Sequence, residues 1–103
     1  MNLVEISCAK IVNEKRLEWF SVRHAKAFCA VCKYYNLRFH DLALLTQISP
    51  FELKTALQDL QSNRLIRYSG ECYKVEDREE ALQRLLWLAQ KGEKTVAKET
   101  LKS

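Results

Sequence analysis

Cys29-Ala-Val-Cys32 is the stretch with the most chemical promise. Two thiols at this spacing, with Cys72, His24 or His40 as further donors, are the ligand types that hold zinc. The pattern nevertheless lies inside a helical segment and lacks the second closely spaced ligand pair that a structural zinc site uses. Core packing is the expected role, because cysteine behaves as a small buried hydrophobe. His24 and His40 read as surface or capping residues, and no Ser-His-Asp or Cys-His arrangement stands out. Two glycines in 103 residues leave no room for a glycine-rich phosphate loop. Glu76, Asp77, Glu79 and Glu80 suit the first turn of a helix, where negative charge meets the positive end of the helix dipole. No catalytic constellation emerges, and neither enzymatic activity, a metal nor a cofactor is expected.

These residues must be positioned by a mainly helical chain with a small β-hairpin. Ser49 is a good N-cap, Pro50 fits the first helical position, and Glu52 completes a capping box with Ser49. Leu53, Ala56, Leu57 and Leu60 then repeat at helical spacing as an inward stripe, and Ser62-Asn63 is the expected stop. A shorter helix from about His40 to Gln47 precedes it, with Leu42, Ala43, Leu45 and Ile48 as its apolar face. The gap of about three residues is that of a helix-turn-helix. Downstream, Leu65–Tyr68 and Cys72–Val75 flank Ser69-Gly70-Glu71, and Gly70 tolerates the positive φ of a short hairpin turn. Helix, turn, helix, hairpin is the order of a winged helix-turn-helix.

Residues 1–20 form an N-terminal extension, for which helix is favoured over strand. Residues 21–76 form the core. A helix capped by Ser21 runs from Val22 to about Tyr35, with Ala25, Phe28, Cys29 and Cys32 facing inward and Asn36 as a left-handed stop. Leu37-Arg38-Phe39 is expected to run extended and add a strand to the hairpin. Asp77 and Glu80 form a second capping box, opening a C-terminal helix over residues 77–92 that Gly92 ends. Leu82, Leu85, Leu86, Trp87 and Ala89 give it more apolar surface than one side of a small domain needs, which marks them as dimer-interface candidates. The alternative is that this helix packs back on the Trp19-Phe20 region. Residues 93–103, rich in Lys and Thr, read as a frayed tail.

Length and composition set outer bounds. The chain is of single-domain size, 48% hydrophobic and 29% charged, as an ordinary globular protein is. No apolar run approaches a membrane span and no signal peptide stands out, so a cytoplasmic protein with reduced thiols is expected. The net charge is +4, and its distribution is uneven. Residues 1–38 carry seven basic and three acidic side chains, while residues 39–75 carry four of each. The helix-turn-helix stretch is therefore neutral, and the surplus lies before it.

The segment Ile48–Val75 resembles the second half of a winged helix-turn-helix regulator of the MarR, ArsR and PadR type. It has a Ser-initiated helix, a Leu-x-x-Leu ending, a Leu-Ile strand start and a hairpin. The resemblance spans about Val22 to Val75 and implies a homodimeric transcriptional regulator that binds duplex DNA. Carried over by position, it implies groove contacts from Ser49, Phe51, Lys54, Thr55 and Gln58, with Thr55 and Gln58 reading bases. It implies backbone contacts from Arg67, Tyr68, Ser69 and Lys74, with Arg23 as a further phosphate anchor. The same fold also serves as a protein-binding adaptor, so a protein partner without DNA is the alternative.

Overall fold

The computed structural model describes the backbone of residues 2–102 and the side chains of residues 2–91. The protein is mainly helical, with five helices and one small antiparallel sheet among the described residues. The order is α1 (Leu3–Asn13), α2 (Val22–Tyr34), β1 (Asn36–Leu37), α3 (Phe39–Thr46), α4 (Pro50–Ser62), β2 (Arg67–Ser69), β3 (Cys72–Lys74) and α5 (Arg78–Lys102).

Helix α2 is the hub. It packs against α1, α3 and α4, while α5 packs on α1. A helix with neighbours on several sides must be apolar around much of its circumference. This shifts the inner face from the one its periodicity suggests. His24, Ala27, Phe28, Val31 and Cys32 are buried, while Ala25 and Cys29 are only half-buried. From α4 the expected stripe Leu53, Ala56, Leu57 and Leu60 is buried throughout. Leu42 on α3 and Ile48 in the turn after it join the core as expected, but Leu45 is exposed. Leu42 and Thr46, one turn apart, form the buried side of α3 instead, and Leu45 falls on its outer edge.

With only two glycines in the chain, helices end on other residues in the left-handed region. Arg64 has φ of 59° after α4. Its N–H donates to the Gln61 carbonyl, and the Leu65 N–H donates to Leu60. These two bonds form the Schellman pattern, which places apolar Leu65 over apolar Leu60. Lys15 closes α1 in the same way, with Arg16 donating to Ile11 and Lys15 donating to Val12. Between α3 and α4, buried Thr46 donates its hydroxyl to the Leu42 carbonyl at 2.6 Å and accepts from the Ile48 N–H at 3.4 Å. Those bonds fix the three-residue turn at Gln47-Ile48-Ser49.

Four local expectations need correction. The left-handed residue after α2 is Tyr35, with φ of 69°, and Asn36 already belongs to β1. Arg78 on α5 holds Tyr35 there, donating to its hydroxyl and lying over its ring. Glu52 does not close a capping box with Ser49; its carboxylate pairs with Arg23 instead, at 3.1 Å. An interhelical cation outcompetes one backbone N–H. Strand β2 begins at Arg67 rather than Leu65, because Leu65 and Ile66 are buried as the anchor between α4 and the sheet. Finally, α5 continues through Gly92 to Lys102, where the sequence suggested a stop and a frayed tail. A glycine inside a helix costs about 1 kcal/mol relative to alanine. The Glu, Lys, Ala and Leu residues that follow offset it with high helix propensity. At the other end of α5, Asp77 accepts from the N–H groups of Glu79 and Glu80, as its position predicts.

The sheet order is β1-β3-β2, antiparallel throughout. The β2–β3 turn is the pair Gly70-Glu71, both at positive φ (60° and 65°), as a two-residue type I′ hairpin requires. Tyr68 and Tyr73 lie directly opposite, with ring centroids 4.7 Å apart. The segment after α2 does add a third strand, with Leu37 against Tyr73, but it spans Asn36–Leu37 rather than Leu37–Phe39, because Arg38 caps α3 and Phe39 already begins it. The N-terminal extension is a helix, started by the Asn2 side chain accepting from the Glu5 N–H at 2.8 Å.

Candidate functional site

Two surfaces and two buried clusters hold the residues with chemical potential. The first surface is the outer side of α4 with the hairpin. Phe51 is 83% exposed at the start of α4, and Lys54, Thr55 and Gln58 are exposed along the same helix. Ser49 is exposed at the cap, and Thr55 donates its hydroxyl to the Phe51 carbonyl at 3.2 Å. The α4 candidates therefore share one open face, because the buried stripe of that helix forces the remaining positions outward. Arg23 is brought beside the start of α4 by its ion pair with Glu52. Of the hairpin candidates, Arg67, Tyr68 and Ser69 are exposed and Lys74 is half-buried.

The charges here are partly neutralised. Arg23 is occupied by Glu52, and Arg67 by Glu76. Arg67 and Lys74 also line a small cleft of about 130 Å³ between the hairpin and α5, where Arg64 and Arg84 meet Glu76, Asp77 and Glu80. Lys54 and Lys74 have no ion-pair partner among the described residues. The remaining cations of α2 lie elsewhere: Lys26 and Lys33 line a groove between α1, α2 and the end of α3.

The second surface belongs to α5. Leu82, Leu85 and Ala89 are buried in the chain's own core, with Leu85 fully so, and cannot also form a dimer contact. Leu86 and Trp87 remain exposed, Trp87 by 52% and capped by the Lys91 ammonium 4.9 Å from its ring centroid. The inward half of α5 packs on α1, while Trp19 and Phe20 gather around His24.

The first buried cluster was not legible in the sequence. His24, 8% exposed, places Nδ1 2.8 Å from the Ser21 hydroxyl and 3.1 Å from the Ser21 N–H. Its Nε2 lies 2.7 Å from the Asp59 carboxylate on α4. Since the Ser21 N–H must donate, Nδ1 is an acceptor and Nε2 carries the proton given to Asp59. The lone pair that a catalytic base would use on the serine hydroxyl is thus already shared with a backbone donor. None of the described cavities is lined by Ser21, His24 or Asp59. The arrangement is a buckle that caps α2 and ties it to α4. The Ser21-x-x-His24 spacing signals the cap, but nothing local points to Asp59, 35 residues on.

The second cluster joins α1 to α2. Cys8 on α1 is buried and its thiol is hydrogen-bonded to Cys29 on α2, with Cys32 one turn further on. The Cys8 bond lowers the Cys29 pKa, against opposing effects of burial and the Glu5 charge. The Cys8 thiol is pushed up, first by the bond to Cys29 and then by burial. Burial, with the Cys29 charge, pushes Cys32 up to about 12. All four cysteines are free thiols, and no group of three or more His, Cys, Asp or Glu among the described residues is arranged to hold a metal.

The chain matches no family model, no curated protein and no solved structure. No described helix is long and apolar enough to cross a membrane.

Proposed function

We propose that the protein is a small winged helix-turn-helix that binds duplex DNA, with α4 as the reading helix and β2–β3 as the wing, acting as a homodimeric transcriptional regulator. The observation that carries this reading is the topology of residues 22–74. Helix, strand, helix, helix and hairpin follow in order, and the sheet order β1-β3-β2 threads the first strand beside the last. A three-residue turn joins α3 to α4, and the open face of α4 presents Lys54, Thr55 and Gln58 free of the core. In this docking Thr55 and Gln58 read base edges, Gln58 suiting adenine, while Lys54, Arg67, Lys74 and Arg23 meet phosphates. Of the interface candidates on α5, Leu86 and Trp87 stay exposed and available to a second copy.

The test is an electrophoretic mobility-shift assay on random-sequence duplex at rising salt. Binding should weaken steeply, because each phosphate contact releases a counterion. The Lys54→Glu/Arg67→Glu pair should abolish it. Unchanged affinity in that double variant would show that this face is not the DNA surface.

A second reading, a winged-helix adaptor that binds protein, is favoured by specific pairings. Glu52 and Glu76 neutralise two of the four proposed phosphate anchors, and Phe51 and Trp87 are large exposed aromatics. Absence of any shift at low salt, together with a saturable protein partner, selects this reading.

A further inference from the structure

We propose that Cys29 and Cys8 form a peroxide-reactive thiol pair on the floor of the α1–α2 groove, closing to an intramolecular disulfide that staples α1 to α2. The groove encloses about 600 Å³ between α1, α2 and the last turn of α3. Cys8 and Cys29 both line it, one from each of two helices that pack directly on each other. Cys29 is half-buried and open to the groove, whereas Cys8 lies beneath it. The two therefore differ as an attacking thiol and a resolving thiol must.

Charge around Cys29 is mixed. Lys26 and Lys33 stand three residues before and four after it on α2, on the same helical face, and both line the groove. Across from them, α1 contributes Glu5, the opposing charge, and Cys8; α2 adds Tyr34, and the end of α3 brings the uncharged Leu45, Thr46 and Gln47. The Cys29 pKa is lowered and the Cys8 pKa raised, so the thiolate is favoured at the reachable position and disfavoured at the covered one.

The chemistry balances with a peroxide as oxidant. The Cys29 thiolate attacks one peroxide oxygen, the O–O bond breaks, and hydroxide leaves to take up the proton that Cys29 had lost. Cys29 is then a sulfenic acid. The Cys8 sulfur attacks the Cys29 sulfur, and its proton leaves with the sulfenic hydroxyl as water. Two thiols lose two electrons and one peroxide becomes two waters.

The experiment is limited oxidation of the full chain with hydrogen peroxide, followed by non-reducing peptide mapping by mass spectrometry. The expected first product is a monomer lacking two hydrogens, with Cys8 and Cys29 in one cross-linked peptide pair. A parallel iodoacetamide time course should alkylate Cys29 on the order of tenfold faster than Cys72, the half-buried thiol of β3. Cys29→Ser should abolish the cross-link and Cys72→Ser should leave it intact. Circular dichroism verifies that each variant is folded, and the mapping of the unaltered chain stands independently of both. Intermolecular disulfides through Cys72 as the first product would overturn the proposal, as would Cys29 labelling no faster than Cys72.

Discussion

His24 does two jobs with one ring. Nδ1 serves the first turn of α2 and Nε2 serves Asp59, so removing the ring strips a donor on α2 and an acceptor on α4 of their partner at once. Leaving a buried polar group unpaired costs roughly 1–3 kcal/mol. His24→Ala should therefore lower the urea midpoint by that order, and also loosen the edge packing of Trp19, whose ring centroid lies 5.3 Å away. Asp59→Asn, which keeps an acceptor, should cost less. Cys32 yields a pH prediction. A thiol whose folded pKa is raised works against the folded state once the unfolded chain starts to ionise it. Its stabilising effect is full below about 9 and shrinks as pH climbs from there toward about 12, because the folded chain must keep neutral a group that the unfolded chain ionises. In that window the slope reaches about 1.4 kcal/mol per pH unit. Chemical denaturation at stepped alkaline pH should show a shallower decline for Cys32→Ala than for the natural chain. Single residues with local partners were readable from sequence: Asp77 caps α5 and Pro50 opens α4 as their spacing predicts. His24–Asp59 and Cys8–Cys29 were not, since their partners come from other helices and depend on how those helices cross.

At the scale of elements, periodicity identified α4 and most of α2, because each carries a repeating apolar stripe against a defined neighbour. It misjudged α5 beyond Gly92, where glycine is a weak breaker unless the chain also has a reason to turn. It also misassigned Leu45, since a helix of eight residues has too few turns to define its buried side. The hairpin shows what turn chemistry demands. Glu71 carries a side chain at φ 65°, and for residues other than glycine that region is strained by about 1–2 kcal/mol. Glu71→Gly removes the strain but loosens the unfolded chain, so the net gain should be a few tenths to about 1 kcal/mol. A rise in thermal midpoint, with the Tyr68–Tyr73 pair retained in near-ultraviolet circular dichroism, is the expected readout.

For the whole molecule, charge sorting matters more than total charge. The surplus cations of residues 1–38 divide between two surfaces, with Arg23 beside α4 and Lys26 and Lys33 at the groove. The amount of the surplus is visible in the sequence; its division is not, because only helix packing decides which face each lysine joins. If α4 docks on DNA, Glu52 works against it by holding Arg23. Glu52→Gln should then tighten duplex binding several-fold at low salt and steepen the salt dependence, measured by fluorescence anisotropy. Unchanged affinity would place Arg23 outside the contact surface.

The β1–β3 pairing also bears on how the chain reaches this structure. Asn36 meets Lys74 across a loop that encloses all of α3 and α4. Closing a loop of that length costs on the order of 3 kcal/mol of chain entropy, far more than a two-residue strand returns by itself. The third strand can therefore join only after α3 and α4 have docked on α2 and brought its ends together. The joining of β1 is therefore expected late in folding, after the local β2–β3 hairpin, and the β1 edge is expected to open early in the native state. Amide exchange at Leu37 and Tyr73 should be faster than at the buried turns of α2 and α4, and should mark a local opening that leaves the helical core closed.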